Sequence, residues 1–233
     1  GDEQPLDVVK TVSNAIQRNV AAAGTGPMQL RPEDFEVRET NTQTRAAVAL
    51  LVDQSFSMVM NDTWQSAKTT ALALHHLSTS TYPLDAMQII TFANLARTVK
   101  PEELPNLDAG DLQGTNLHHA LLLAGRFFDQ HPGAQPVCLV VTDGEPTAYL
   151  RGEGDWWFMW PPDAQTVRET VGAVDQLTRR GIAISWFRLG DDPRLERFLD
   201  AMARRNCGRV LGVDGQRLGR YVVTDYMRAR RGH

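Results

Sequence analysis

The sequence predicts an α/β protein with a doubly wound, mostly parallel central sheet, one antiparallel edge strand and helices on both faces. Four continuous apolar runs have the length of buried strands. Between these runs, apolar residues recur at intervals of three and four, which is the spacing of amphipathic helices. Strands that are apolar on both faces and are separated by helices form parallel sheets with helices on either side. These two observations predict the fold class.

The strands are predicted from apolar runs that are bounded by polar or turn-forming residues. The four main strands are residues 46–52 (AAVALLV), 86–93 (AMQIITFA), 136–141 (PVCLVV) and 182–187 (IAISWF). Residues 96–100 (ARTVK) follow the second strand too closely for a helical crossover, so we expect them to return as an antiparallel edge strand. A short last strand is predicted over 209–213 (RVLGV).

The helices are predicted from apolar repeats at helical spacing. The repeats are Trp64, Ala67, Ala71 and Leu74; Leu117, Leu121, Ala124 and Phe128; Val167, Val171, Val174 and Leu177; and Leu195, Phe198 and Met202. A terminal helix is predicted over 216–230. Before the first core strand, the pattern predicts a helix over 5–19 and a strand over 34–39.

Length, composition and charge limit the functions expected of the chain. With 233 residues, 42% hydrophobic and 22% charged, it matches a soluble protein with one main domain. The net charge of −4 gives no attraction to a phosphate backbone, so a nucleic-acid partner is not expected. No segment approaches the about 20 apolar residues of a membrane span, and the first residues lack a signal-peptide pattern, so no membrane partner is expected. Cys138 and Cys207 lack CxxC partners, which disfavours a zinc site and indicates a reduced, cytosolic setting.

Oxygen-bearing side chains follow the predicted strands at their carboxyl ends, where ligands bind in doubly wound sheets. Asp53, Ser55 and Ser57 follow the first core strand in the segment DQSFS. Asp143 follows a later strand in VVTDGEP, and Thr115 comes just before a helix in QGTNLHH. Two carboxylates and three hydroxyls form an oxygen-only set, which suits a hard cation such as Mg²⁺. Each motif alone is common in a helix cap or a turn, but their conjunction at these strand ends favours a metal site.

These motifs resemble those of a von Willebrand factor A (vWA) domain with a metal-ion-dependent adhesion site, whose pattern is matched at all five residues. The resemblance covers about residues 45–213 and implies a Rossmann-like fold. Further phrases, such as FEVRET, TDGEPTAYL and DYMRARR, are similar to bacterial vWA proteins that work beside MoxR-type AAA+ ATPases. Those proteins include carbon monoxide dehydrogenase accessory proteins and, more distantly, the D subunit of magnesium chelatase.

The resemblance implies a non-enzymatic module that binds Mg²⁺, with Mn²⁺ or Ca²⁺ as substitutes in vitro. The cation would hold an Asp or Glu of a protein partner. The implied partner is a cytosolic MoxR-type AAA+ ATPase that acts in complex assembly or metal insertion. The predicted division is an N-terminal helix and strand extension over 1–44 that packs on the core, the vWA domain over 45–213, and a C-terminal helix with a basic tail over 214–233.

An aromatic segment follows the Asp143 strand end and is expected near the metal face. Its aromatic residues are Trp156, Trp157, Phe158 and Trp160. They can fold back over the core as a lid or form an anchor for a partner, and the sequence leaves both roles open. His118 and His119 are neighbours on a helix and point to different sides, so solvated or capping roles are expected for them.

Two other functions share this fold. A Mg²⁺-dependent phosphohydrolase uses an Asp nucleophile at a strand end but needs a second acid two residues later, where Ser55 stands here. Nucleotide hydrolysis would need a GxxxxGK[ST] loop, which the sequence lacks. An extracellular adhesion domain would share the fold and the site, but the unpaired cysteines and the absent signal pattern favour a cytosolic chain.

Overall fold

The computed structural model describes residues 8–21, 30–35, 45–108, 113–152 and 154–231. The chain divides into two compact units, Gly1–Gln43 and Thr44–His233, and each is described by itself. In these described ranges, no helix has the length and hydropathy of a membrane span.

The first unit contains helix α1 (Val8–Ala21) and a 3₁₀ turn (Pro32–Asp34). Arg18 joins them, because its Nε and Nη2 donate to the two carboxylate oxygens of Asp34 at 3.0 and 2.8 Å. This bidentate contact is the main reason that the pKa of Asp34 is lowered to about 2. The predicted helix is present. The strand predicted over 34–39 is absent at its start, because Asp34 lies in the 3₁₀ turn. Residues 36–39 lie outside the described residues.

The second unit is built on a six-stranded sheet. The strands of the unit are β1 (Ala46–Asp53), β2 (Ala86–Phe92), β3 (Ala96–Val99), β4 (Gln135–Thr142), β5 (Ala148–Leu150), β6 (Trp156–Phe158), β7 (Ile184–Leu189) and β8 (Arg209–Val213). The sheet has the order β3-β2-β1-β4-β7-β8, while β5 and β6 form a separate antiparallel hairpin. Every pair in the sheet is parallel except β2 with β3. The predicted fold class, including its antiparallel edge strand, is therefore confirmed.

Strand β1 shows why a continuous apolar run predicts a central strand. All eight of its residues are buried. Alternate side chains point to opposite faces, so Val48 and Leu50 belong to one apolar cluster, whereas Ala49 and Leu51 belong to the other. A strand that is covered by helices on both sides has no solvent face for polar residues.

The helices of the second unit cover both faces of the sheet. They are α2 (Phe56–Met60), α3 (Trp64–Thr81), α4 (Leu117–Asp129), α5 (Ala164–Arg179), α6 (Pro193–Asn206) and α7 (Leu218–Arg230). Helices α4, α5 and α6 pack on one face through residues such as Leu121, Val174 and Leu199. Helices α3 and α7 cover the other face through residues such as Leu74 and Val222.

Some short elements differ from the prediction. Strand β7 begins at Ile184, two residues after the start of the predicted strand at Ile182, although Ile182 is buried. An apolar run marks burial, and burial continues here into the connection before the strand. The five-residue helix α2 and the β5–β6 hairpin were not predicted, because α2 has fewer than two turns and each strand of the hairpin has three residues.

Asp85 ties helix α7 to the amino-terminal edge of the sheet. Its fully buried carboxylate accepts hydrogen bonds from Ala46 N at 2.9 Å, Tyr226 Oη at 2.7 Å and Arg230 Nε at 2.8 Å. The Arg230 guanidinium also lies over the Tyr82 ring, 3.9 Å from its centroid. These contacts fix the last helix to strands β1 and β2.

Candidate metal centre

Asp53 and Asp143 end two neighbouring parallel strands. Strand β1 ends at Asp53, strand β4 ends at Thr142, and Asp143 follows directly. The two strands pair in parallel, with Val52 opposite Val141. Because both strands run in the same direction, their carboxyl ends meet at one edge of the sheet, as the sequence predicted.

The Asp53 carboxylate is fully buried and is held by two donors. Its Oδ2 accepts a hydrogen bond from Thr142 Oγ1 at 2.6 Å, and its Oδ1 accepts one from the backbone N–H of Ser55 at 2.9 Å. Thr142 was not among the predicted site residues. It could have been noticed as the residue before Asp143 in the segment TDG, at the end of the neighbouring strand.

Ser55 and Ser57 stand at the start of helix α2, where Ser55 is the N-cap residue. Their Oγ atoms lie 3.0 Å apart, within hydrogen-bond distance. The Ser57 hydroxyl donates to Asp143 Oδ1 at 2.7 Å. The two serines therefore form a hydrogen-bonded row that leads from Asp143 toward the N-terminal end of α2, beside Asp53.

Thr115 is placed by the loop that precedes helix α4. Its backbone N–H donates to Thr147 Oγ1 at 2.9 Å, and the preceding Gly114 N–H donates to Asn94 Oδ1 at 2.7 Å. A Cβ atom on Gly114 would lie 2.5 Å from that Asn94 oxygen, so this close approach requires glycine. These two hydrogen bonds hold the loop at Gly114 and at Thr115.

The Thr115 and Ser57 hydroxyls border the same space beside Gly144. A Cβ atom on Gly144 would lie 3.8 Å from Thr115 Oγ1 and 3.9 Å from Ser57 Oγ. These two hydroxyls come from segments 58 positions apart in the sequence (57 and 115) and converge only because of the strand order. The structure therefore leaves an oxygen-lined space that a larger residue at 144 would enter.

Among the described residues, the two carboxylates have no positively charged partner. Burial, and then the negative charge of Asp143, raises the pKa of Asp53 to about 7. Burial also raises the pKa of Asp143, although Ser57 and Asn61 donate hydrogen bonds to it. In the described part of the chain, no Lys, Arg or His forms an ion pair with either carboxylate. A buried acid pair of this kind favours a bound proton or cation.

The side chains that converge here fit a hard divalent cation. The described residues contain no group of three or more His, Cys, Asp or Glu side chains that could hold a metal, so hydroxyl groups would have to complete a donor set. Mg²⁺ takes oxygen ligands and keeps several waters, which suits a set of two carboxylates and three hydroxyls. The structure brings all five predicted residues to one strand edge, and the presence of the metal stays a prediction.

Asn61 is a further residue of this cluster that was not predicted. Its Nδ2 donates to Asp143 Oδ2 at 2.9 Å, so both oxygens of that carboxylate have a donor. Asn61 caps the end of α2, four positions after Ser57. That spacing places both residues on one side of the helix, which is the signal that could have identified Asn61 once the short helix was recognised.

His118 and His119 are structural acceptors. His118 is buried, and its Nδ1 accepts the Leu150 backbone N–H at 3.2 Å. His119 Nδ1 accepts the Ala96 N–H at 3.1 Å. Burial lowers the pKa of both side chains, which favours the neutral form that accepts these bonds. The prediction of solvated or capping roles was therefore wrong, because both histidines attach α4 to neighbouring strands.

A cavity of about 1090 Å³ opens at this edge of the sheet. Its polar lining includes Ser55, Ser57, Thr115 and Asp143, whereas Asp53 lies buried behind them. The cavity extends over the carboxyl ends of β7 and β8. The polar cluster is thus open to a ligand from one side.

The predicted aromatic segment forms a strand and the residues after it. Trp156–Phe158 is strand β6, which pairs with β5 and is partly buried. Trp157 Nε1 donates to Asp163 Oδ2 at 3.0 Å, and the Arg151 guanidinium lies 5.2 Å from the centroid of its ring. Trp160 is 60% exposed and lines the cavity, while the other three aromatic residues do not. The segment therefore does not present its four aromatic residues as one surface.

The sheet has a single antiparallel edge strand, helices on both faces and a polar cluster at its carboxyl edge. These features define a protein of the von Willebrand factor A class. Residues 46–227 match the vWA domain of the Rv0959-like proteins, and residues 1–40 match the third domain described for the same proteins. The chain therefore belongs to the Rv0959-like protein family. Domains of the vWA class generally mediate protein–protein interactions.

Two mycobacterial relatives share 52% identity with the chain. They are the uncharacterized protein Rv0959 of Mycobacterium tuberculosis and the uncharacterized protein Mb0984 of Mycobacterium bovis. Each match covers 99% of this chain and 35% of the relative. The chain thus spans about a third of the length of the curated relatives that it matches.

Solved structures share the fold at low sequence identity. BatB from Bacteroides thetaiotaomicron has a TM-score of 0.60 at 19% identity, and the match covers 80% of this chain and 100% of that chain. The pilus adhesin SpaC from Lactobacillus rhamnosus GG has a TM-score of 0.59 at 12% identity, with 84% of this chain and 31% of that chain covered. At these identities the comparison establishes the fold alone.

Proposed function

We propose that this chain is a non-enzymatic interaction module that binds one Mg²⁺ ion through Asp53, Ser55, Ser57, Thr115 and Asp143. The observation that supports the proposal is the row of hydroxyls beside two buried carboxylates that have no positive partner among the described residues. A divalent cation would offset both negative charges. Its oxygen donors would be of the kind that Mg²⁺ prefers.

The bound cation would supply a positive centre that attracts an Asp or Glu carboxylate of a protein partner. The chain's own residues prepare this contact. Three of the five donors are neutral hydroxyls, which leave more of the cation's charge uncompensated than carboxylates would. Ser57 and Thr115 border the cavity through which a partner would enter. Thr142 and Asn61 keep the two carboxylates in place by hydrogen bonds.

Catalysis by this chain is not part of the proposal. Hydrolysis through Asp53 would need a second acid two residues later, and Ser55 occupies that position. The Ser57 hydroxyl donates to Asp143 rather than to a histidine. The imidazole Nδ1 atoms of His118 and His119 accept backbone N–H groups, so neither nitrogen is available as a base.

Calorimetric titration with Mg²⁺ tests the metal site directly. We expect one binding site in the unaltered chain and no binding heat in a variant that combines Ser55→Ala and Ser57→Ala, with an unchanged circular dichroism spectrum. The matched control combines Thr69→Ala and Ser80→Ala, which remove two exposed hydroxyls of α3 that bond to their own helix. This control should bind Mg²⁺ normally. If the unaltered chain binds neither Mg²⁺ nor Mn²⁺, the proposal is disproved.

For the partner, we propose a cytosolic AAA+ ATPase of the MoxR type, acting with this chain in complex assembly or metal insertion. The support is the resemblance of the segments around the site to vWA proteins that work beside such ATPases. Co-purification from the host, with Mg²⁺ or with EDTA, tests this. We expect the ATPase to be recovered with the unaltered protein in Mg²⁺ and to be lost with Thr115→Ala or EDTA. Recovery that is equal in all three conditions would show that the ATPase binds elsewhere.

A further inference from the structure

We propose that the partner enters the cavity as a short peptide segment in which the metal-binding Asp or Glu lies within four residues of a large apolar side chain. This inference rests on the proposed function and adds a second point of contact to it. That contact is made by Phe56, Met60 and Trp160, which we call the apolar rim. The occupant is thus a protein segment with one acid and one apolar anchor.

The apolar rim consists of three exposed side chains around one cavity. Phe56 is 46% exposed, Met60 is 66% exposed and Trp160 is 60% exposed, and all three line the cavity. Phe56 and Met60 are four positions apart in α2 and therefore lie on the same side of that helix. A single exposed apolar residue is ordinary. Three that surround a few convergent polar groups have the composition of a binding pocket.

The polar cluster and the apolar rim are connected by short covalent and hydrogen-bonded links. Phe56 lies between Ser55 and Ser57, whose hydroxyls are hydrogen bonded to each other, and the Ser57 hydroxyl donates to Asp143. Met60 is followed directly by Asn61, which donates to the same carboxylate. Because α2 carries Phe56 and Met60 of the rim together with Ser57 of the cluster, one short helix sets the distance between the metal position and these two rim residues. The spacing between acid and anchor in a partner segment should therefore be narrow.

The size of the cavity indicates a ligand larger than one carboxylate. Its volume is about 1090 Å³. Pockets that take whole small molecules measure about 300–1,000 Å³. A carboxylate at the polar cluster would leave most of this volume free, and the apolar rim borders the remainder. Several residues of extended chain fit this space better than a small acid.

The charge of the lining selects among acidic ligands. Among the described residues, five acids and one arginine line the cavity: Asp143, Glu145, Asp191, Asp192, Asp214 and Arg188. Asp192 also caps helix α6 by accepting the Arg194 N–H, so it has a structural role as well. This balance opposes a segment with several acids or a polyanion. It favours one acid that is flanked by apolar, neutral or basic residues.

Selection from a phage-displayed random dodecapeptide library on the whole chain, with Mg²⁺ present and elution by EDTA, tests the inference. We expect the eluted peptides to be enriched in an Asp or Glu that has an aromatic or long aliphatic residue within four positions. A synthetic, fluorescently labelled peptide with the selected consensus then serves as the probe. Its affinity is measured by anisotropy.

Variants separate the apolar contact from the metal contact. Combining Met60→Ser with Trp160→Ser should weaken peptide binding at least tenfold and leave the calorimetric Mg²⁺ affinity unchanged. The matched control combines Leu84→Ser with Val167→Ser, which alter two exposed apolar residues that do not line the cavity. This control should bind the peptide as the unaltered chain does.

Each alternative outcome has a separate meaning. Selected peptides with an acid but no apolar preference, or a Met60→Ser and Trp160→Ser variant that binds normally, would overturn this inference and leave the metal site intact. A chain that binds no Mg²⁺ and yields no EDTA-eluted acidic peptide would overturn the proposed function as well. Sedimentation could instead reveal a Mg²⁺-dependent dimer that the Met60→Ser and Trp160→Ser variant does not form. The occupant of the cavity would then be a second copy of the chain, which would contradict the peptide proposal.

Discussion

Replacing Asp53 with Asn should stabilise the metal-free chain at pH 8 and remove its response to Mg²⁺. The Asp53 carboxylate is fully buried, and burial together with the charge of Asp143 raises its pKa to about 7. Asn has nearly the same size, and its side-chain oxygen can still accept the Ser55 N–H. The Asp53→Asn substitution therefore removes a buried negative charge and keeps the packing.

The direction and size of the effect follow from the pKa of Asp53 in the folded chain and its pKa in the unfolded chain. An Asp in an unfolded chain has a pKa of about 3.9. Between about pH 4 and pH 7 the folded protein keeps a proton that the unfolded chain releases, so the free energy of unfolding falls as the pH rises. A difference of about three pKa units corresponds to about 4 kcal/mol. For a chain of this length, that is a loss of roughly 10 °C in melting temperature.

Thermal unfolding in EDTA at pH 5 and pH 8 measures this effect. Asp53→Asn should melt close to the unaltered chain at pH 5 and well above it at pH 8. Burial lowers the pKa of His118 and of His119, so these side chains destabilise both proteins as the pH falls, and their contribution cancels in the difference between the proteins. The exposed-acid variant Glu102→Gln is the control and should follow the unaltered chain at both pH values. Added Mg²⁺ at pH 8 should raise the melting temperature of the unaltered chain alone.

Two results would refute this reasoning. In the first, metal-free Asp53→Asn has a melting temperature at or below that of the unaltered chain at pH 8. This would mean that hydrogen bonds stabilise the charged Asp53 carboxylate more than burial destabilises it. In the second, Mg²⁺ stabilises both proteins equally, which would place the cation away from Asp53.

Two other substitutions test the fold and the loop at the site. Tyr226→Phe removes one hydrogen bond from the buried Asp85 carboxylate and should lower the free energy of unfolding by about 1–3 kcal/mol, measured by urea denaturation with an unchanged slope. Gly114→Ala places a Cβ atom 2.5 Å from Asn94 Oδ1, so it should displace the Thr115 loop and weaken calorimetric Mg²⁺ binding at least tenfold. Gly152→Ala, where a Cβ atom would meet nothing within 4 Å, is its control, and equal binding by both variants would contradict the role given to the loop.

Much of the sheet could be predicted because burial leaves a local trace in the sequence. Strands β1, β2 and β4 were predicted within a residue or two of their observed ends, since a strand covered on both faces is apolar throughout. The same logic placed Asp53 and Asp143 at one edge, because parallel neighbours share their carboxyl ends. The failures were α2 and the β5–β6 hairpin, which are too short to show a period, and the start of the strand predicted over 34–39, where Asp34 lies in a 3₁₀ turn.

The candidate site could be predicted only in part. Asp53, Ser55 and Ser57 lie close together in the chain, so their proximity was visible from the sequence. The contact of Asn61 with Asp143 joins residues 82 positions apart and was not visible. The sequence also could not separate Trp157, which bonds to Asp163, from Trp160, which lines the cavity.

The sequence by itself determined the central strands, the longer helices and the oxygen-bearing side chains that follow the strands. These properties depend on a few neighbouring residues, because periodicity and strand ends are local. The tertiary structure alone decided the partners of each carboxylate, the size of the cavity and the side chains around it. Those properties depend on the strand order and on the path of each loop, which bring together residues such as Asp85 and Tyr226 from positions 141 residues apart. No local pattern encodes such a distance, because many chain paths are compatible with the same sequence of strands and helices.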